Sequence, residues 1–314
     1  MTNSTNTMTA GDARPGSLAA RSLRVASQLA KLRKIYLPYP RQLAVMAEFD
    51  EVRMIGAEMR GLPMMGATLF HETGAGKTTT ANQYIAREKE RHGAQSKSVV
   101  LVRLDNSGTA RALYSEILSA LGDGFALNGT EHTLRRRTLE ALEDAGTELL
   151  IIDEVHHGGR GSGFGGAITS SVKLFLDAGV CPVALLGTEL AIPIFAKDKE
   201  LCGRLTAPCY LGPLRWFDEE DRELWRGFLG ALDDRMVADG IVAVPTGLAA
   251  DRLDQALIEV TNGVIGQLMG AVSTALREAV RDDRDAISFD DLVTAVDLWN
   301  VGHGFTQRNP LRDL

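Results

Sequence analysis

A short apolar run, GATLF (66–70), passes directly into HETGAGKTTT (71–80) and then into ANQYIAREKE, a segment with helical spacing. A buried strand that leads through closely spaced glycines into the head of a helix fits few architectures. Successive backbone N–H groups there point inward, and the peptide dipole adds its own preference for an anion. Gly74 and Gly76 let the backbone approach phosphates closely, Lys77 supplies charge that follows the β- and γ-phosphates, and the Thr78 hydroxyl suits Mg2+. Thr73, Gly74, Ala75, Gly76, Lys77, Thr78 and Thr79 are therefore the expected nucleotide-binding residues. His71 departs from the pattern G-x-x-x-x-G-K-[ST], standing where the first glycine belongs. That glycine chiefly serves the turn leaving the strand, so the expectation is one altered turn and an intact cradle.

A second segment strengthens this reading. LLIIDE (149–154) is a run of apolar residues ending in two acids. On its own it is equally a buried strand with a polar exit turn. Beside a phosphate loop, paired carboxylates at the C-terminal edge of a parallel sheet face the bound phosphates. Asp153 is then expected to join Thr78 in the Mg2+ shell, and Glu154 to polarise the attacking water. A further β-run, 98–104, intervenes in the sequence, so the loop strand and the acid strand are not expected to adjoin. That is the arrangement of ATPases with an inserted strand and a glutamate base. Thr188 ends CPVALLGT, where a polar residue can sense the γ-phosphate. Arg204 lies beyond it and can reach a neighbouring subunit's nucleotide, a contribution worth about 10³–10⁵ in rate; the alternative is a surface ion pair.

Strand signals at 66–70, 98–104, 148–153, 181–187 and 208–214 alternate with helical spacing near 78–92, 109–121, 131–145 and 168–178. Such alternation predicts a parallel sheet covered on both faces. After Trp216 the strand signal ends, and 218–238, 248–260, 263–281 and 288–299 all have helical spacing, with Asp218 and Ser288 as expected N-caps. The expected fold class is thus α/β, a P-loop NTPase with a central parallel sheet and a smaller C-terminal helical lid domain. The predicted organisation is a polar, disordered start (1–16), a basic helix or arm (17–40), the α/β domain (41–215), the lid (216–300) and a tail (301–314). The basic arm is expected to be solvated or to dock an acidic partner.

A formal charge of −7 argues against a chain coated in nucleic acid, while allowing a local basic strip. Cys181, Cys202 and Cys209 form no C-x-x-C pair, which suggests reduced thiols in a cytoplasmic protein. No apolar run is long enough for a membrane span, so no membrane partner is expected.

Three features look like sites; the first two are set aside and the third stays open. GSGFGG (161–166) satisfies G-x-G-x-x-G but is separated from its strand, so a loop over the active edge is the better reading. His156 and His157 are adjacent and, unlike an i, i+4 pair, are not expected to share a metal. The run Arg135, Arg136 and Arg137 is either a solvated helix face or a phosphate-backbone contact.

Taken together, LPYPRQ, GAGKTT, IIDEVHH, KLFLDAGVCPVALLGTEL and CGRLTAPCYLGPLRW resemble the TniB/TnsC family of transposon-encoded AAA+ ATPases, over about Leu37 to Ser288. The resemblance implies ATP and Mg2+ as cofactors, Lys77 and Thr78 at the phosphates, and Asp153 and Glu154 in hydrolysis. It further implies Thr188 as sensor and Arg204 as the finger acting in trans. It also implies a homo-oligomeric ring or helical filament on double-stranded DNA, with a DDE-type transposase and a TniQ-type target-selection protein as partners. DNA contacts are expected from basic residues such as Lys97, Arg103 and Arg135 to Arg137, reading backbone rather than sequence. Two departures, His71 and the Gly266–Gln267 pair where many lids carry an arginine, point to slow, regulated hydrolysis. The alternative function is a generic bacterial AAA+ remodeller or loader, serving a helicase or a secretion system. A non-hydrolysing scaffold is disfavoured because pure binding needs neither Glu154 nor Arg204.

Overall fold

The computed structural model describes residues 18–105, 107–159 and 165–314. The polar start, 1–16, and most of GSGFGG lie outside these residues. The chain forms two compact units, one comprising Pro40–Gly212 and the other combining the N-terminal helix with Pro213–Leu314.

The first unit opens with α2 (Pro40–Glu58), which follows α1 (Leu18–Lys34) after the Pro38-Tyr39 break. Pro40 at its first position lacks an N–H that helix starts leave unbonded anyway. Then come β1 (Gly66–Phe70), α3 (Lys77–His92), β2 (Val99–Arg103), α4 (Ala110–Leu121), α5 (Glu131–Asp144), β3 (Leu149–Asp153), α6 (Gly165–Asp177), β4 (Val183–Gly187), α7 (Ile192–Ala196) and α8 (Lys199–Cys202). All four strands pair in parallel in the order β1-β4-β3-β2. β4 is therefore the strand inserted between the loop strand and the acid strand, and β2 takes the far edge. β3 and β4 are buried along their whole length, as strands covered on both faces require.

The predicted fifth strand, 208–214, does not form. Its chain still follows the free edge of β1, where Arg204 O accepts the Gly66 N–H at 2.9 Å and Thr206 N–H donates to Gly66 O at 2.8 Å. The next donor in register would be residue 208, but proline has no N–H. Cys209 donates to Thr68 O instead, at 2.8 Å, one residue out of step. The ladder is broken at Pro208, and the edge remains an irregular extended segment.

The second unit contains α1, α9 (Glu219–Ala238), α10 (Leu253–Thr261), α11 (Ile265–Arg281), α12 (Phe289–Ala295) and a π-helical turn over Val296–Val301. The expected caps are present: Asp218 accepts the Asp221 N–H, and Ser288 forms a reciprocal capping box with Asp291. The start of 248–260 is not helical because Arg252 takes a left-handed backbone at φ 68° ahead of α10. The basic N-terminal helix is not a solvated arm. Leu32 is fully buried in the helical core beside Trp225, Leu229 and Leu268, and Val25 and Leu29 pack against it. Arg21 and Arg24 pair with Asp283, while Lys31 donates to Gly240 O at 3.2 Å. The last residues are also anchored, since Leu311 joins the same core.

Candidate active site

The parallel sheet delivers the site by placing the ends of β1, β3 and β4 side by side. Phe70 is in register with Gly187, and the His71 N–H donates to Gly187 O at 3.2 Å, so the loop leaves β1 next to Thr188. Gly74 and Gly76 both hold positive φ, 89° and 96°, which a side chain would strain. Gly76 starts α3 without any side-chain cap, so the helix head presents its backbone N–H groups at the loop. Thr73, Gly74 and Thr79 are exposed, Gly76 and Thr78 half-buried, and Ala75 and Lys77 buried, which gives a cradle open on one side.

Lys77 Nζ donates to His71 O at 2.6 Å and Glu72 O at 2.8 Å, so the loop's own carbonyls hold its ammonium. Burial lowers its pKa, opposed by the charges of Asp153, Glu154, Glu72 and Glu189. Thr78 Oγ1 donates to Asp153 Oδ2 at 2.6 Å, and Asp153 is 1% exposed. A hydroxyl and a buried carboxylate in contact beside a phosphate cradle are the hard oxygen donors that Mg2+ takes alongside nucleotide phosphates. The site residues present fit both groups.

Glu154 stands at the mouth with a left-handed backbone, φ 61°, held by its own N–H donating to Asp153 Oδ1 at 2.8 Å. Its Oε2 lies 3.4 Å from His156 Nδ1 and 3.9 Å from His157 Nε2. The Thr188 N–H points at the same His156 Nδ1, at 3.4 Å. Adjacent histidines therefore do converge here, because they lie on a tight 3₁₀ turn rather than an α-helix. The Thr188 hydroxyl is buried without a hydrogen-bond partner. A buried orphan next to the cradle is what an oxygen-rich ligand would satisfy.

Arg204 is not brought to this edge. Its backbone borders Gly66, at the opposite end of β1 from the loop, and its guanidinium grips Asp177 at 2.7 and 3.2 Å and Glu200 O at 2.8 Å. Among the basic residues expected to meet DNA, Lys97 donates to Ala120 O at 2.6 Å. Arg136 lies 3.6 Å from Glu140, and Arg137 pairs with Asp123 and holds Asn128 O at 2.9 Å. Arg103 is exposed at the end of β2.

The loop substitution at His71 has a structural role that its position in the motif did not reveal. Its ring accepts the Leu211 N–H at Nε2, 2.9 Å away, and meets the Tyr210 ring edge-on. Arg41 lies over the other ring of this stack, 4.9 Å from the Tyr210 centroid, and donates to Gly212 O. Burial is the main cause holding the His71 pKa below its ordinary value; the Cys209 carbonyl, 3.3 Å from Nε2, and the charge of Glu189 oppose it, while the charges of Lys77 and Arg41 add to it. The shorter contact, to Leu211, calls for a lone pair at Nε2, which the neutral ring presents. Gln42 on α2 was also missed. It is buried against the loop, where a Cβ on Gly76 would come within 3.2 Å of its Nε2, and its Oε1 has no partner. Only its place in LPYPRQ hinted at it.

Sheet order, glycine loop, acid pair and helical second unit define a P-loop protein of the AAA+ class. The chains of known structure agree in fold. It resembles the Aeropyrum pernix ORC2 protein in its ADPNP–ADP complexes at a TM-score of 0.63 and 14% identity, covering 85% of this chain and 70% of that one. The values for Cdc6p from Pyrobaculum aerophilum are 0.61 and 14%, over 86% and 70%. For the Aeropyrum pernix ORC1 protein in complex with DNA they are 0.60 and 15%, over 85% and 68%. No curated protein matches. The family described as "Bacterial TniB protein" matches residues 31–210, and the chain belongs to it.

Proposed function

We propose that this chain hydrolyses ATP with Mg2+ to regulate DNA transposition, assembling with further copies on duplex DNA and recruiting or activating a DDE-type transposase. The observation that carries the chemistry is the Thr78–Asp153 contact at 2.6 Å, with Lys77 preceding Thr78 in the loop and the Glu154 N–H bonded to Asp153. Membership of the TniB family carries the transposition setting. Mg2+, held by Thr78 and Asp153, would neutralise charge on the phosphates.

In this reading the backbone from Thr73 to Thr79 wraps the phosphates. Lys77 exchanges the His71 and Glu72 carbonyls for phosphate oxygens, so nucleotide entry reshapes the loop. Glu154 takes the proton of the attacking water, and Thr188 reports the γ-phosphate through its free hydroxyl. Arg204 serves a neighbouring copy only after leaving Asp177. A TniQ-type protein is the proposed target-selecting partner. The loader alternative shares the fold but has no support comparable to the family match.

The test is electron microscopy of the protein on duplex DNA with a non-hydrolysable ATP analogue, for the wild type and Lys77→Ala. Nucleotide-dependent rings or filaments should form in the first and be lost in the second. Unchanged assemblies from Lys77→Ala would sink the proposal.

A further inference from the structure

Among the described residues, Glu154, His156 and His157 form the group in which carboxylate and imidazole donor atoms converge within 4.8 Å of one another. We infer that this trio is a binding site for a transition-metal dication of the zinc type, separate from the Mg2+ pair Thr78 and Asp153. Donors about 2.1 Å from a tetrahedral zinc stand about 3.4 Å apart. Glu154 Oε2 and His156 Nδ1 are 3.4 Å apart, and Glu154 Oε2 and His157 Nε2 are 3.9 Å apart. The donor atoms of His156 and His157 also lie within 4.8 Å of each other, so closure of the two rings on one ion completes three ligands and leaves the fourth position open.

His156 Nδ1 cannot both accept the Thr188 N–H and donate to Glu154. At 3.9 Å His157 Nε2 is beyond hydrogen-bond reach of the carboxylate, and its Nδ1 is buried with no partner. One carboxylate oxygen and two ring nitrogens gather on one point, where a cation would be held. Two imidazoles and one carboxylate suit zinc-type ions and not Mg2+, which prefers oxygen. An ion held here would occupy the carboxylate proposed above as the base, so it would block hydrolysis while leaving the phosphate cradle free. That consequence rests on the proposed function; the binding itself does not.

The experiment uses the full chain without nucleotide. Zn2+ is titrated against a chromophoric chelator, and Co2+ serves as a visible-absorbance probe of geometry. One equivalent of Zn2+ should bind, Co2+ should give the strong bands of a tetrahedral site, and Glu154→Gln, His156→Asn and His157→Asn should each weaken binding at least about tenfold. Circular dichroism checks folding, and should one variant unfold, the other two decide. No binding by the wild type, or binding that the folded variants leave unchanged, overturns the inference. Zn2+ that binds as expected yet leaves ATP turnover undiminished supports the site and counts against Glu154 as base.

Discussion

His71 Nε2 accepts the Leu211 backbone N–H across 2.9 Å, so a side chain from the phosphate loop fastens the segment that replaces a fifth strand. Leu211 is fully buried, so without the ring its N–H has no water to turn to. His71→Gly, although it restores the usual loop residue, should cost about 1–3 kcal/mol in urea denaturation. An unchanged midpoint would remove the latch.

The same bond gives a pH dependence. The folded pKa of His71 is lowered by burial, so between that value and the unfolded one, about 6.5, the unfolded chain binds more protons. The contribution of the neutral ring is complete above about pH 6.5 and is lost as pH falls through the window below it. Stability measured from pH 7.5 downward should decline over that range, and the decline should be shallower in His71→Gly.

Glu154 unites two properties that can be separated. As the proposed base it should be worth about 10²–10⁴ in turnover, and Glu154→Gln should keep ATP bound and trap the assembled state. Its φ of 61° predicts in addition that Glu154→Gly is more stable than Glu154→Ala by about 1 kcal/mol, because only glycine takes this backbone without strain. Thermal unfolding of the two variants checks it; equal stability would mean that the backbone is not strained there.

Thr188→Val tests the sensor role. A buried hydroxyl without a partner is a cost to the fold, so its removal should leave stability unchanged or raise it by up to about 1 kcal/mol. Turnover should fall all the same. A variant with full turnover would leave the hydroxyl without a part in catalysis.

Arg204 is held by Asp177 in a single chain, and exposed, solvent-screened pairs of this kind add little to stability. Arg204→Ala and Asp177→Asn should therefore both fold normally. If Arg204 acts in trans, only the arginine variant loses turnover, and the loss should be restored in mixtures where a neighbouring copy keeps Arg204 but cannot hydrolyse. Equal activity of both variants would confine Arg204 to its ion pair.

The elements that carry chemistry were legible along the chain because each is local. GATLF-HETGAGKT specifies a strand, a glycine turn and a helix head within thirteen residues, and LLIIDE specifies a buried strand with an acidic exit. The N-caps Asp218 and Ser288 were legible for the same reason, since a cap depends on residues three apart. Helix α2 escaped notice, as its apolar residues are spread around it and no sharp stripe marks one face.

What the sequence alone determined is a phosphate cradle and a pair of acids, each fixed by neighbours in the chain. Tertiary structure decided the rest. It inserted β4 between β1 and β3, seated Thr78 on Asp153, drew His156 and His157 around Glu154, packed α1 into the helical core and let Pro208 break the expected fifth strand. These depend on pairings between residues far apart in sequence, where register and burial choose the partner and local spacing does not specify it.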